Sequence, residues 1–243
     1  MNSESGIRDS PSSGFDQFEQ DGFKILMGVL TASECDALSC ELSALFEKQQ
    51  HSARNKIGGI RNVLHTSPGV AQLASSRTVI SIMEECAGQK AFPVRAIFFD
   101  KTAETNWLVP WHRDLAIAVA ARMEIPGFGG WSVKDGVPHV HPPREILESM
   151  STMRLHLDDC DAGNGALKVI PGSHRLGKLA ASDISRWTEQ TPVFCEASKG
   201  DALLMRPLLL HASEPSKSPF HRRILHVEYA TAELPNGLKW FDH

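Results

Sequence analysis

The sequence predicts a mainly β fold, a sandwich or barrel with helices packed on its outer side. Three observations point to this class. The chain has 243 residues, a length that sandwiches and barrels often reach as one unit. From Phe92 onward, short apolar runs are broken by Gly, Pro and Asp, which is typical of many short strands. Before Phe92, two stretches have the periodicity of amphipathic helices instead.

The N-terminal part is predicted to contain a tail, one strand and two helices. Residues 1–13 are rich in Ser, Gly and Asp without periodicity, so we expect a disordered tail followed by a single domain over residues 14–243. FKILMGVL is predicted as a strand. Thr31 and Glu34 form a capping box before an amphipathic helix. RTVISIMEECAG is predicted as a second helix that ends at Gly88.

The segments PVRAIFFDK, STMRLHLDD, GALKVIPGS, DALLMRP and RRILHVEYA are predicted as the strands of the β fold. In STMRLHLDD, Met153 and Leu155 alternate with Arg154 and His156. One face of this strand therefore belongs to the core and the other is polar. A polar inner face is what a binding cavity needs.

Residues Arg122 to Pro143 form the longest stretch that is predicted to be irregular. Long loops in compact domains are often lids, so we expect this loop to close over a substrate with Trp131 as its apolar cover. The pair His139 and His141 lies between prolines, where a regular strand ladder is not expected. The role of these two histidines stays open.

Composition limits the classes of partner. The chain has 25 basic and 29 acidic residues and a formal charge of -4, which gives no general attraction to nucleic acid or an anionic membrane. No apolar stretch approaches the ~20 residues of a membrane span, and no secretory signal precedes the domain. We expect a cytoplasmic protein that binds a small-molecule substrate. The sequence carries no signal for the oligomeric state.

Three residues are candidate metal ligands: His112 and Asp114 in PWHRDL, and His211 in LLLHAS. Residues two apart in a strand point the same way, so His112 and Asp114 can reach one ion. His211 closes the apolar run LLMRPLLLH, which is predicted as a buried strand that ends at a cavity. Two histidines and one carboxylate on one face of an octahedron are typical of non-haem Fe(II) enzymes that activate oxygen.

Arg222, eleven residues after His211, is a candidate for carboxylate binding. A dicarboxylate cosubstrate that chelates iron through one end needs its other carboxylate held. A guanidinium group does this with two parallel hydrogen bonds. Arg222 and Arg223 point to opposite faces of a strand, so only one of them can face the cavity.

These motifs resemble the phytanoyl-CoA dioxygenase-like family of Fe(II)/2-oxoglutarate-dependent oxygenases. The resemblance rests on PWHRDL, LDDCDAGNGALKVIPGSHRLG, LLLHAS and the interval to Arg222, and it covers roughly residues 15 to 230. It implies a double-stranded β-helix, or cupin-like jelly-roll. It also implies that His112, Asp114 and His211 bind iron and that Arg222 and Ser213 bind 2-oxoglutarate. The implied activity is a dioxygenase of the hydroxylase type that uses Fe(II), 2-oxoglutarate and O2 and releases succinate and CO2.

Two functions of other classes stay open. A cupin-like metal protein without redox activity, such as an isomerase or a small-molecule-binding module, would use the same barrel without Arg222 in the cavity. A zinc hydrolase built on His112, His211 and the HVH pair would need a further carboxylate base. The carboxylate of Asp114 favours hydroxylation, because related halogenases have chloride in its place. Desaturation and other oxidative outcomes remain alternatives.

The substrate is indicated only by class. Trp131 is a candidate apolar wall, and Arg154 or His156 could bind an acidic group of the substrate. An internal ion pair with Asp158 or Asp159 is an equal alternative. Nothing in the sequence indicates a CoA thioester, and a small metabolite or amino-acid derivative fits equally well.

Overall fold

The structure is a computed structural model that describes residues 15–52, 58–177, 179, 181–217 and 220–243. The tail predicted for residues 1–13 lies outside this range. The α-helices are α1 (Asp16–Asp21), α2 (Ala32–Ser52), α3 (Val63–Thr66), α4 (Pro68–Ala74), α5 (Arg77–Ala87), α6 (Arg144–Glu148) and α7 (Ala181–Thr188). None of the helices in the described part of the chain has the length and apolar character that crossing a membrane requires.

Thirteen strands run through the described residues. They are β1 (Phe23–Leu26), β2 (Gly59–Arg61), β3 (Phe92–Lys101), β4 (Val109–His112), β5 (Ile117–Ala118), β6 (Gly129–Lys134), β7 (Val137–His141), β8 (Ser151–His156), β9 (Leu167–Val169), β10 (Val193–Cys195), β11 (Ala202–Met205), β12 (His211–Ser213) and β13 (Arg222–Ala230). All paired strands are antiparallel.

The strands form three sheets. A six-stranded sheet has the order β1-β11-β8-β13-β3-β2, and a four-stranded sheet has the order β10-β9-β12-β4. A third sheet, β5-β7-β6, contains the hairpin that follows the candidate metal ligands in sequence. The mainly β fold with helices on its outer side, predicted from the alternation of short apolar runs, is confirmed.

The six-stranded sheet separates two environments. On its outer face, Leu42 of α2 and Met83 of α5 belong to one buried cluster with Met153 and Leu155 of β8. On its inner face, Leu203 of β11 packs toward the four-stranded sheet. The alternation predicted for β8 is present, since Arg154 and His156 lie between Met153, Leu155 and Leu157. Both polar side chains are nevertheless buried.

The predicted helix caps are present. Thr31 and Glu34 make the reciprocal hydrogen bonds of a capping box: the Thr31 amide donates to Glu34 Oε2 at 2.8 Å, and the Glu34 amide donates to Thr31 Oγ1 at 3.3 Å. Helix α5 ends at Gly88, whose φ of 65° is in the left-handed region that a side chain disfavours. The start of α2 and the end of α5 can therefore be predicted from the sequence.

The irregular loop predicted for residues Arg122 to Pro143 is wrong. Strands β6 and β7 form a hairpin inside it, joined by Asp135 and Gly136, which have φ values of 49° and 80°. Two central residues with positive φ are the requirement of a type I′ turn. Pro138 is tolerated in β7 because its carbonyl accepts from the Val119 amide while its missing N–H is not needed.

Two local predictions around the candidate ligands also need correction. Strand β4 ends at His112, so Asp114 lies beyond the strand, where its amide donates to the carbonyl of Pro207 at 2.9 Å. The run LLMRPLLLH is not one strand, because β11 ends at Met205 and a turn separates it from β12. His211 is the first residue of β12.

Candidate metal centre

His112, Asp114 and His211 converge although the local predictions for them were incomplete. His112 and His211 are direct partners across the antiparallel pair of β4 and β12. Their ring centroids are 4.1 Å apart, with an angle of 56° between the rings. One ligand atom from each of the three residues lies within 4.8 Å of the others. The sheet register thus brings together ligands that are about a hundred residues apart in sequence.

Backbone hydrogen bonds fix the tautomers of both histidines. Nδ1 of His112 donates to the carbonyl of Pro110, and Nδ1 of His211 donates to the carbonyl of Leu209, both at 2.9 Å. A carbonyl only accepts, so the proton sits on Nδ1 and the lone pair on Nε2. Both Nε2 atoms face the Asp114 carboxylate. Nε2 of His112 is 3.9 Å from Oδ1, and Nε2 of His211 is 3.8 Å from Oδ2. Hydrogen bonds of this kind orient the histidine ligands of metals.

The electrostatics keep His211 and Asp114 in their metal-binding protonation states. Burial is the main reason why the pKa of His211 falls to about 4, so its imidazole is neutral at physiological pH. Burial alone would raise the pKa of Asp114, but the adjacent His211, His226 and His112 outweigh it and the net shift is downward. Metals bind neutral imidazole and ionised carboxylate. Oδ2 of Asp114 is buried and has no hydrogen-bond partner among the described residues.

The triad lines a cavity of about 450 Å³, which we call the triad cavity. Its other walls include Ile97 and Phe99 of β3 and Trp107 between β3 and β4. The volume is within the roughly 300–1,000 Å³ of small-molecule sites. These apolar walls lie beside many polar and charged side chains, which suits a polar organic molecule next to a metal.

Arg222 projects into the triad cavity and Arg223 projects away from it. Arg222 is buried, and its Nε has no hydrogen-bond partner among the described residues. Arg223 instead makes a bidentate pair with Asp158, at 2.8 and 2.7 Å. The predicted strand alternation therefore assigns the two arginines to the expected faces. Asp158 is occupied by Arg223, which removes it as an ion-pair partner of Arg154.

Ser213 lines the same cavity, but its hydroxyl group is already engaged. It donates to the carbonyl of Gly165 at 2.8 Å and accepts from Nζ of Lys101 at 2.7 Å. Lys101 is fully buried and is the cross-strand partner of Arg222. Burial, with Arg222 and Arg154 nearby, lowers its pKa to about 7. Sequence reasoning missed Lys101, although a lysine at the end of the apolar run FPVRAIFFDK was an available signal.

A row of buried polar side chains crosses the floor of the triad cavity. Arg154 donates to Nδ1 of His226 at 2.9 Å, Nε2 of His226 lies 3.5 Å from Glu228, and Glu228 pairs with Arg95 at 2.9 Å. All four residues line the cavity. Arg154 was a predicted substrate residue, whereas Arg95, His226 and Glu228 were not. Their signal was the two-residue spacing of His226 and Glu228 in β13 and the isolated arginine in the apolar run of β3.

The remaining candidate residues divide between the cavity and the protein interior. His141 lines the cavity, whereas His139 is fully buried and bonds through Nδ1 to the carbonyl of Val137. His156 is buried beside Arg154 and does not line the cavity; burial lowers its pKa to about 4. Trp131 packs against the apolar cluster under the third sheet, outside the cavity lining. The structure therefore does not bring Trp131 or His156 to the triad.

Comparison with known sequences gives a consistent result. Residues 18–224 match the family model described as phytanoyl-CoA dioxygenase. An ectoine dioxygenase from Nocardia farcinica is 21% identical over 250 residues, which cover 89% of this chain and 76% of the relative. An ectoine dioxygenase from Halomonas elongata is 25% identical over 170 residues, which cover 66% of this chain and 45% of that protein.

Solved structures share the fold. EctD from S. alaskensis with 2-oxoglutarate and 5-hydroxyectoine matches with a TM-score of 0.69 and 21% identity, over 88% of this chain and 74% of that chain. The non-heme alpha ketoglutarate dependent carbocyclase SnoK from nogalamycin biosynthesis matches with a TM-score of 0.70 and 16% identity, over 92% and 85% of the two chains. These matches confirm the predicted double-stranded β-helix.

Proposed function

The chain belongs to the phytanoyl-CoA dioxygenase family, and on that premise we propose that it is an Fe(II)- and 2-oxoglutarate-dependent dioxygenase that hydroxylates a small molecule. The observation that carries the proposal is the cross-strand pairing of His112 with His211 beside Asp114. Two imidazoles and one carboxylate form the ligand set of non-haem Fe(II) oxygenases. The ectoine dioxygenases among its relatives support the same class of reaction.

The residues fit an iron ion. Their ligand atoms all lie within 4.8 Å of one another, and the two Nε2 atoms are 3.9 and 3.8 Å from the Asp114 carboxylate, close enough to converge on one ion. The unpartnered Oδ2 of Asp114 is a further point in favour, because a buried carboxylate oxygen without a donor is costly unless a cation compensates it. His112, Asp114 and His211 are therefore the proposed iron ligands.

The 2-oxoglutarate site is proposed at Arg222. A buried guanidinium group without a carboxylate partner in the described structure is costly in isolation, and a dicarboxylate would compensate it. Lys101 lies opposite Arg222 across β3 and β13 and adds a second positive group. We propose that Ser213 positions Lys101 rather than donating to the cosubstrate, because its own proton is used by Gly165.

When bound, iron with 2-oxoglutarate and O2 supplies oxidation of a substrate C–H bond, coupled to conversion of 2-oxoglutarate to succinate and CO2. The protein contributes geometry and exclusion of water. The carbonyl groups of Pro110 and Leu209 hold the two imidazoles with Nε2 toward the ion. Ile97 and Phe99 form dry walls beside the triad. No protein acid or base is required by this scheme.

Asp114 favours hydroxylation over halogenation, because halogenases have chloride where it supplies a carboxylate, and the similarity to ectoine dioxygenases supports hydroxylation among the other oxidative outcomes. The cupin-like alternative without redox activity is disfavoured by Arg222, which such a protein would not need in its cavity. A zinc hydrolase is disfavoured because His139 lies away from the triad and its Nε2 is buried.

The decisive experiment is anaerobic addition of Fe(II) and 2-oxoglutarate to the purified protein. A weak visible charge-transfer band of the chelate is expected with the wild type. A redox-inactive metal protein would show no such band and would not consume 2-oxoglutarate on exposure to O2. Incorporation of one ¹⁸O atom from ¹⁸O2 into the organic product then separates hydroxylation from desaturation, cyclisation or epimerisation.

A further inference from the structure

A second cavity adjoins the triad cavity. It has a volume of about 440 Å³ and shares the lining residues Arg113, Leu115 and His141 with the triad cavity. We call it the side cavity. Because three residues of the described chain form walls of both spaces, a molecule in the side cavity lies next to the cavity that holds the candidate metal centre. This geometry suits the body of a substrate whose reacting end enters the triad cavity.

The side cavity is apolar over most of its wall. Phe128 before β6, Leu147 of α6 and Leu208 in the turn before β12 line it, together with Leu115. Leu147 and Leu208 also belong to the apolar cluster beneath the third sheet, so these walls are firmly packed. Leu115 is 37% exposed, which leaves an apolar side chain available to a ligand at the junction.

Two guanidinium groups meet at the polar end of the side cavity. Nη1 of Arg113 donates to the carbonyl of Gly177. A methyl group built on Gly177 would lie 2.6 Å from Nη1 of Arg144, so both arginines approach the same residue. The lining thus concentrates positive charge at one place beside apolar walls.

The two arginines differ in how their charge is compensated. Arg144 pairs with Glu148 at 2.5 Å, one helical turn away. Arg113 is 8% exposed, and within the described part of the chain no carboxylate lies within ion-pair distance of it. A buried cation whose only acceptor is a backbone carbonyl is costly unless a ligand supplies the missing charge.

We propose that the side cavity binds the substrate as an amphipathic anion, with its carboxylate or phosphate on Arg113 and Arg144 and its apolar part against Phe128, Leu147 and Leu208. This inference rests on the proposed function and names the class of substrate for it. Arg113 lines both cavities, so an anion bound to it lies at the junction with the triad cavity. The forked guanidinium groups match the geometry of either acidic group.

The test uses decanoate and decyl phosphate as probes, with decan-1-ol as the uncharged control. Binding is measured by isothermal titration calorimetry with Mn(II) and saturating 2-oxoglutarate present, so that Arg222 is occupied, and again without them. We expect both anions to bind at least about tenfold more tightly than the alcohol. Equal binding of the alcohol, or no binding of either anion, would overturn the proposal.

Substitution of the two arginines tests whether they form the anion site in the side cavity. Arg113→Gln and Arg144→Gln should each weaken binding of the anions about tenfold or more while leaving the affinity for decan-1-ol unchanged. Arg122→Gln is the matched control, because Arg122 is exposed, pairs with Glu124 and lies outside both cavities. Anion binding that is undiminished in Arg144→Gln, or equally diminished in Arg122→Gln, counts against the site even if Arg113→Gln fails to fold.

Arg222→Gln separates this inference from the proposed function. It should weaken binding of 2-oxoglutarate about ten- to thousandfold and leave binding of decanoate within about twofold of the wild type. If the wild type fails to bind Mn(II) with 2-oxoglutarate but still binds decanoate through Arg113 and Arg144, the dioxygenase proposal fails and the anion site stands. Loss of decanoate binding in Arg222→Gln would place the anion in the 2-oxoglutarate site instead and overturn the inference.

Discussion

His112 and His211 face each other across strands β4 and β12, with their ring centroids 4.1 Å apart. Each ring is held by the carbonyl group two residues before it, which leaves both Nε2 atoms directed toward Asp114. The two histidines are therefore oriented by the backbone, independently of any ion. A site of this kind is preorganised, because little rotamer freedom is lost when a metal binds.

Replacement of either histidine should remove metal binding with little loss of stability. In His112→Ala and His211→Ala we expect no measurable Fe(II) or Mn(II) binding in calorimetry and no turnover of 2-oxoglutarate. The free energy of unfolding should change by less than about 2 kcal/mol, because neither ring belongs to one of the apolar clusters.

His65→Ala is the matched control for these variants, since the side chain of His65 is 75% exposed and distant in sequence from the triad. It should bind metal like the wild type. Undiminished decarboxylation of 2-oxoglutarate in both His112→Ala and His211→Ala would remove the triad from consideration as the iron site.

Arg222→Ala should raise the 2-oxoglutarate concentration needed for half-maximal turnover about ten- to thousandfold. The reason is loss of a bidentate charge-assisted pair from a buried position. Arg223→Ala should leave this concentration nearly unchanged, because Arg223 pairs with Asp158 on the other face of β13. If Arg223 proved the sensitive position, the proposed cosubstrate site would be on the wrong face of the strand.

The sequence predicts alternation within a strand better than it predicts which strands meet. The opposite orientations of Arg222 and Arg223 follow from the two-residue period of a single strand, and the structure has them as expected. The pairing of His112 with His211 depends on the register between β4 and β12, which are about a hundred residues apart. Register is set by long-range packing, so the assumed geometry of both segments was only partly correct.

The hairpin of β6 and β7 was missed for a different reason. Its turn, Asp135-Gly136, is a favoured type I′ sequence and was available as a signal. The prolines at positions 138 and 142 are a signal against a strand and oppose it. In β7 the carbonyl of Pro138 accepts from the Val119 amide, and the N–H that proline lacks is not needed there. This tolerance of proline can be recognised only when the neighbouring strand is known.

Breaking the pair of Arg95 and Glu228 should be costly. Both side chains are 8% exposed, and their nitrogen and oxygen atoms are 2.9 Å apart. Glu228→Gln would leave a buried guanidinium group without its charge partner, and we expect a loss of about 3–5 kcal/mol in the free energy of unfolding. Urea denaturation monitored by circular dichroism measures this loss.

The exposed pair of Arg122 and Glu124 supplies the control for that measurement. Its side chains are 65% and 82% exposed, so Glu124→Gln should change the unfolding free energy by less than about 1 kcal/mol. Similar losses in Glu228→Gln and Glu124→Gln would mean that the floor of the triad cavity does not depend on a buried ion pair.

Binding of 2-oxoglutarate should weaken as the pH rises above about 7, because Lys101 loses its proton there. Burial, Arg222 and Arg154 together lower the pKa of Lys101 to about 7 in the protein without ligand. A dianion bound at Arg222 adds negative charge near Lys101 and raises that pKa again, so binding above pH 7 is coupled to uptake of a proton. Below pH 7 the ammonium group of Lys101 is already charged, so binding takes up few protons.

The apparent dissociation constant should therefore increase with pH above 7 by up to about tenfold per unit, and buffers of different ionisation enthalpy should reveal proton uptake in calorimetry. Burial raises the pKa of the Cys160 thiol beside Arg222, so that group stays protonated in this range. Lys101→Met should abolish the dependence and weaken binding below pH 7. Lys199→Met, at an exposed pair with Asp36, should behave like the wild type. A pH dependence that persists in Lys101→Met would assign the proton to another group and leave Lys101 with a purely structural contact to Ser213.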